Sequence, residues 1–221
     1  MSILFLTSAL TALGIAQQTP PRSRPPPTCS LEGTFRLADP EGNEAAPVFG
    51  EVFVRTPLPG LGTSAPETVS MAQHNRQFEP RVLVVKVGDK VDFINRDSEP
   101  HEVHSEGEVN PFEARKNARD KTAFDVEFSV VGVSNIGCQI HNNMHARILT
   151  VPNSFHVRVS SEGKWTISGL PSKQLELVFW TPKDGETTRV LKPCVSPPVS
   201  VSLPVESLKT SPSSSDGYQP L

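Results

Sequence analysis

Several things are scarce in this chain, and each scarcity excludes something. Basic charge is not in excess: 21 Lys and Arg stand against 24 Asp and Glu, a formal charge of −3 and a pI near 6.1. A protein held to nucleic acid through phosphates needs a basic face, so that class of partner is not expected. Beyond residue 16 no apolar run is long enough to make a transmembrane helix. Convincing helical stripes are missing as well, and 22 prolines oppose helix interiors and central strands alike. Cysteine is both rare and odd in number, 3 in all, which leaves at least one thiol outside any internal disulfide. What remains is a 221-residue chain, 36% apolar, enough for one large domain or two small ones.

The two ends read as additions to the fold. Residues 1–16 are apolar or small and finish on Gly14-Ile15-Ala16, a small-x-small pattern suited to signal peptidase, although no Lys or Arg precedes the apolar run. They are expected to be a signal peptide, which places the mature chain in the periplasm or outside the cell. Residues 17–28, QQTPPRSRPPPT, are expected to form a proline-rich linker. Residues 206–221 read as a disordered tail.

Between these ends the pattern is short alternating runs bounded by Gly, Pro, Asn and Asp, which predicts an all-β fold. Val82 to Val87, Val91 to Ile94, Phe124 to Phe128 and Arg147 to Val151 are expected strands. So are Phe155 to Val159, Trp165 to Ile167, Leu175 to Phe179 and Val199 to Leu203. Residues 111–120, PFEARKNARD, read as a loop or a short exposed helical turn. Many short strands at regular spacing suggest one or two sandwiches.

One cluster carries chemistry. Cys138-Gln-Ile-His141-Asn-Asn-Met144 places a thiolate, an imidazole and a thioether within one tight loop. Cys and Met are soft donors and His is intermediate, a set suited to copper. A further imidazole stands directly after the strand Val91–Ile94, in Asn95-Arg-Asp-Ser-Glu-Pro100-His101-Glu-Val-His104. His101 and His104 both stand there.

These residues resemble the cupredoxins, and among them amicyanin and plastocyanin. The resemblance rests on Phe78-Glu-Pro80, Gly88-Asp89-Lys-Val91-Asp-Phe93-Ile-Asn95, Pro100-His101-Glu-Val103 and Cys138-x-x-His141-x-x-Met144, and covers roughly residues 69–152. It implies a Greek-key β-sandwich holding one type 1 copper ion. His101, Cys138 and His141 would be equatorial ligands, Met144 the axial ligand, and Asn95 a hydrogen-bonding residue that ties the ligand loops together. It favours His101 over His104 as the donor. His145 is expected to be exposed or a hydrogen-bond partner rather than a ligand, and His74 and His156, which show no partner pattern, to be surface histidines. The pattern departs from the family in the segment entering Cys138, which lacks aromatics, and in the long charged stretch from Ser105 to Lys121.

Residues 153–205 contain Gly163-Lys-Trp165-Thr-Ile167-Ser-Gly169-Leu-Pro171 and Leu175-Glu-Leu177. This resembles the carboxypeptidase regulatory-like modules, a transthyretin-type or Ig-like β-sandwich, and residues 29–68 resemble its opening strands. The combination is similar to exported plastocyanin-like proteins that carry the family label of methylamine utilisation. The resemblance implies a regulatory-like sandwich split by an inserted cupredoxin; two tandem domains are the alternative. In a split sandwich Cys29 and Cys194 come together, and a disulfide is expected between them.

The function implied is a one-electron carrier acting between redox proteins, a monomer and not an enzyme. The alternative is a copper-binding module acting as chaperone, sensor or store. A multicopper oxidase or nitrite reductase needs further histidine pairs, and none of the six histidines forms His-x-His.

Overall fold

A computed structural model describes residues 28–116, 124–206 and 208. The expected signal peptide, most of the linker and nearly all of the tail lie outside the described residues. The chain is all-β, with no helix among the described residues.

Three strands come first: β1 (Cys29–Ala38), β2 (Glu44–Ala45) and β3 (Glu51–Val54). Nine follow: β4 (Thr68–His74), β5 (Gln77–Glu79), β6 (Val82–Lys86), β7 (Lys90–Asn95), β8 (His101–Glu106), β9 (Phe112–Lys116), β10 (Asp125–Glu127), β11 (Gly132–Cys138) and β12 (His145–Val151). Five complete the chain: β13 (His156–Arg158), β14 (Lys164–Leu170), β15 (Leu175–Thr181), β16 (Gly185–Leu191) and β17 (Val199–Pro204).

These strands make four sheets. The orders β10-β7-β4-β5 and β6-β12-β11-β8-β9 use only the middle of the chain. The orders β14-β1-β17, with β2 beside β1, and β13-β3-β15-β16 combine strands from both ends of it. Each pair of sheets encloses its own core. In the middle sandwich Met71, Phe78, Phe93, Phe128, Ile136 and Ile148 are buried between the sheets. In the other, Phe35, Trp165 and Phe179 pack edge to face, with centroids 5.5 and 5.4 Å apart, among Leu31, Ile167 and Leu177. Burial of side chains of this size stabilises by about 1.5–3 kcal/mol each relative to exposure.

Parallel pairing of β1 with β17 depends on Gly33. A Cβ there would stand 1.8 Å from the Val199 carbonyl oxygen, so any other residue would push the strands apart. The expected disulfide is present: Cys29 is bonded to Cys194, with Cα atoms 5.2 Å apart across 165 positions of sequence. In the chain-entropy account a closure of this length stabilises by ~3–5 kcal/mol.

The two sandwiches touch through a third apolar cluster. Phe49, Phe53, Val178 and Trp180 of one meet Val82, Leu149 and Val151 of the other. Arg158 lies over the Phe49 ring, and an Arg147 guanidinium nitrogen donates to the Pro182 carbonyl.

One expectation needs correction. The charged stretch after residue 111 is neither loop nor helical turn at its start, because β9 pairs with β8 from Phe112 to Lys116. Phe112 faces inward against Phe93 and Phe128, so one large side chain per strand was enough to recruit it. His156, which shows no partner pattern in the sequence, has a partner in the fold: its Nδ1 lies 2.7 Å from Oε1 of the buried Glu51. His74 also has an acidic neighbour, Glu79, at 3.5 Å.

Candidate metal centre

The centre is built at one end of the middle sandwich, where β7 leaves its sheet, β8 enters the other and β11 leaves it. Asn95, the last residue of β7, is fully buried. Its side-chain amide donates to the Glu99 carbonyl (2.8 Å) and its oxygen accepts from the Asp97 N–H (2.9 Å). That pair of bonds closes the loop and delivers Pro100 and His101 to the start of β8.

The β4–β5 hairpin braces the same loop. Asn75 and Arg76 both have left-handed backbone (φ 52° and 56°), the conformation of a two-residue hairpin turn whose twist suits the strands. Their N–H groups donate to Asp97, at 2.6 and 3.0 Å, and the Arg76 guanidinium pairs with Glu99. Burial would raise the Asp97 pKa, but the Arg76 and Asn75 N–H groups and His101 together hold it below the ordinary carboxylate value. Glu99 is also held low, chiefly by the Arg76 hydrogen bond against some desolvation, with His141 and His101 contributing. Both groups are therefore acceptors at neutral pH.

Each carboxylate faces one imidazole. His101 Nε2 lies 2.9 Å from Asp97 Oδ2, and His141 Nε2 lies 3.6 Å from Glu99 Oε2. At His101 the Asp97 hydrogen bond places the ring proton on Nε2 and turns the Nδ1 lone pair inward; Glu99 adds negative charge beside the outer edge of His141. The two rings converge on one thiol: Cys138 Sγ lies 3.8 Å from His101 Nδ1 and 3.7 Å from His141 Nδ1, and the two Nδ1 atoms are 3.2 Å apart. The three donor atoms form the one cluster of its kind found among the described residues.

The two Nδ1 atoms face each other at 3.2 Å with the thiol beside both, so all three donor atoms surround one point. An ion about 2.0–2.1 Å from each nitrogen and about 2.3 Å from sulfur, with bonds spread in a plane, sets N···S at about 3.7 Å and N···N at about 3.5 Å. The spacings found here match the first and are slightly tighter than the second. The donors fit a small transition-metal ion, and their softness fits copper.

Met144 is buried in the same apolar cluster as Cys138, and its N–H donates to the His141 carbonyl at 3.0 Å, which tightens the turn between them. His101 is fully buried, Cys138 nearly so, while the His141 side chain keeps 17% of its surface exposed. His104 lies elsewhere. Three residues along a strand reverses the face, so His101 points into the core and His104, opposite Gly137 on β11, points outward. His145 is exposed on the outer side of β12.

The sequence reading missed Arg76, Asp97 and Glu99. A carboxylate four residues before His101 was a visible signal for Asp97. Arg76 gave none, because it reaches the loop only through the hairpin.

No family model and no curated protein matches the chain. Solved structures resemble part of it. A novel purple cupredoxin from Nitrosopumilus maritimus is 21% identical, covering 37% of this chain and 97% of its own, with a TM-score of 0.32. A proline-to-alanine variant of amicyanin in its oxidized state is 28% identical over 38% of this chain and 81% of its own, at a TM-score of 0.33. The copper-containing nitrite reductase of Thermus scotoductus is 21% identical, covering 43% of this chain and 25% of its own, at a TM-score of 0.36.

Proposed function

We propose that this chain is an exported type 1 copper protein that carries single electrons between redox proteins. The observation that carries the proposal is the convergence of two imidazole Nδ1 atoms on the buried Cys138 thiol, with each opposite ring nitrogen facing a carboxylate. His101, Cys138 and His141 would hold the ion, with Met144 as a fourth donor. Bound copper supplies a one-electron couple.

The protein's own residues do the rest. Asp97 holds the His101 ring in one tautomer and one orientation, and Glu99 places a negative charge beside His141. Asn95 and the β4–β5 hairpin keep the His101 loop from relaxing. Such bracing suits electron transfer, which is fast when the ligands move little between oxidation states. Burial of His101 and Cys138 keeps water from the thiolate, and the exposed edge of His141 is the shortest way out for an electron. The Cys29–Cys194 bond fits an oxidising compartment, the periplasm or the cell exterior. The proposal includes the sandwich of β1–β3 and β13–β17 as a carboxypeptidase regulatory-like module, divided by the copper unit, in a monomeric protein that is not an enzyme.

Addition of Cu(II) to the purified mature chain, followed by visible and EPR spectroscopy, tests this. An intense blue band with narrow copper hyperfine splitting is expected. A colourless protein, or a copper signal without thiolate character, overturns it.

A further inference from the structure

The reverse side of the Cys138 strand carries a second pair of histidines. The ladder places Glu113 of β9, His104 of β8, Gly137 of β11 and His145 of β12 in one row across the outer face of the sheet. Gly137 is the gap in that row. A Cβ built there would come within 2.9 Å of His104 Cε1 and 3.0 Å of His104 Nε2. The His104 ring therefore leaves its own strand and lies across β11, its Nε2 edge directed over the glycine. His145 stands on the far side of the same glycine and is exposed. Both line an open groove of about 700 Å³, with Asn135, Gln139 and Asn142 around them.

Distances decide what fits. Neighbouring strands lie about 4.7–4.9 Å apart, so β8 and β12 are separated by about 9.5 Å across β11. Two metal–nitrogen bonds of about 2.0–2.1 Å take up nearly half of that span. The remainder is within reach of two imidazoles on one face, one of them already lying across the gap. Any residue larger than glycine at 137 would block it. Polar groups on the groove wall and water would complete the coordination. Across the row, the Glu113 carboxylate accepts from Gln139 at 3.4 Å and contributes negative charge beside His104. Cys138 also borders the groove, but its thiol packs in the core cluster within 3.8 Å of His101 Nδ1.

The geometry points to a second metal site, formed by His104 and His145 over Gly137, that binds a borderline divalent ion such as Zn²⁺, Ni²⁺ or Cu²⁺ through imidazole nitrogen. It would lie on the other face of the strand whose next residue is Cys138. One strand would then present a soft site inward and a nitrogen site outward, with different metal preferences. The inference does not depend on the proposed electron-carrier role.

Titration of the full mature chain with ZnCl₂, followed by calorimetry, tests it. The titration is run on protein loaded with a single copper equivalent, taken up by the inward donors, and on a Cys138→Ala/His141→Ala variant that lacks them. One Zn²⁺ equivalent of micromolar affinity is expected in both. His145→Ala and His104→Gln should each weaken it at least tenfold, while His156→Ala leaves it unchanged. His145 is exposed, so its removal does not bear on folding. Absence of a Zn²⁺ equivalent up to millimolar concentration, or an affinity unchanged by His145→Ala, overturns the inference.

Discussion

The two sandwiches spend their buried volume differently. The one made from both ends of the chain has an apolar central cluster, with Phe35, Trp165 and Phe179 meeting edge to face and a disulfide at its margin. The middle one has a comparable apolar core but gives up one end of it to Asn95, His101, Cys138 and their carboxylate neighbours. Buried polar groups of this kind cost free energy unless each finds a partner. Here each carboxylate has one, and the inward-facing Nδ1 and thiol atoms are the part left for a ligand. The difference separates a region selected for closure from a region in which closure is traded for donors.

The largest expected effect is on the donor side of that comparison. Cys138→Ser should abolish the thiolate-to-copper absorption entirely while changing the apo-protein's melting temperature little. A surviving blue band would remove Cys138 from the site. On the closure side, Phe179→Ala should cost about 3–5 kcal/mol by leaving a cavity between Phe35 and Trp165. Denaturant melts followed by tryptophan fluorescence measure this, and the blue band of the folded fraction should be unchanged.

An intermediate effect is expected where polar groups support the apolar frame. The Asp89 carboxylate accepts from the N–H groups of Glu67 and Lys86 and pairs with the Lys86 ammonium, closing the β6–β7 turn. Burial opposes its ionisation, yet these partners hold its pKa below the ordinary value. Its stabilisation is therefore complete above the unfolded-state pKa of about 3.9 and is lost as pH falls through the lower folded value. Asp89→Ala should cost roughly 3 kcal/mol at neutral pH, because it leaves the Lys86 charge unpaired, and should flatten the stability profile below pH 4. Thermal melts between pH 2 and 7 check both. Asp97→Asn should weaken copper affinity about 10–100-fold by loosening His101, with the fold intact. Competition with a chelator measures it. The smallest effect is reserved for His104→Ala, whose blue spectrum should match the unmodified protein, since that ring lies on the opposite face of β8.

Much of this was legible in the residues. Alternation marked most strands, because a side chain on one face of a sheet repeats every second position. Cys138, His141 and Met144 were visible as a cluster because the loop holding them is short. His101 required the strand that precedes it. What stayed hidden was contact across long sequence separations. Glu51 and His156 are 105 positions apart, and nothing local in either announces the other. The Arg76–Glu99 pair depends on a hairpin turn, and β9 depends on one inward phenylalanine in a run of charges. Face was the other hidden quantity: His101 and His104 look equivalent as letters, and only the assignment of both to one strand separates them.

The parallel seam between β1 and β17, closed by Cys29–Cys194, has a mechanical consequence. Tension applied to the chain before residue 29 and after residue 194 is borne by a covalent link and two paired strands. The middle sandwich lies inside the loop that this clasp closes, off the line of force. A pull applied on either side of the clasp would leave the spacing of His101, Cys138 and His141 untouched until the clasp itself gave way.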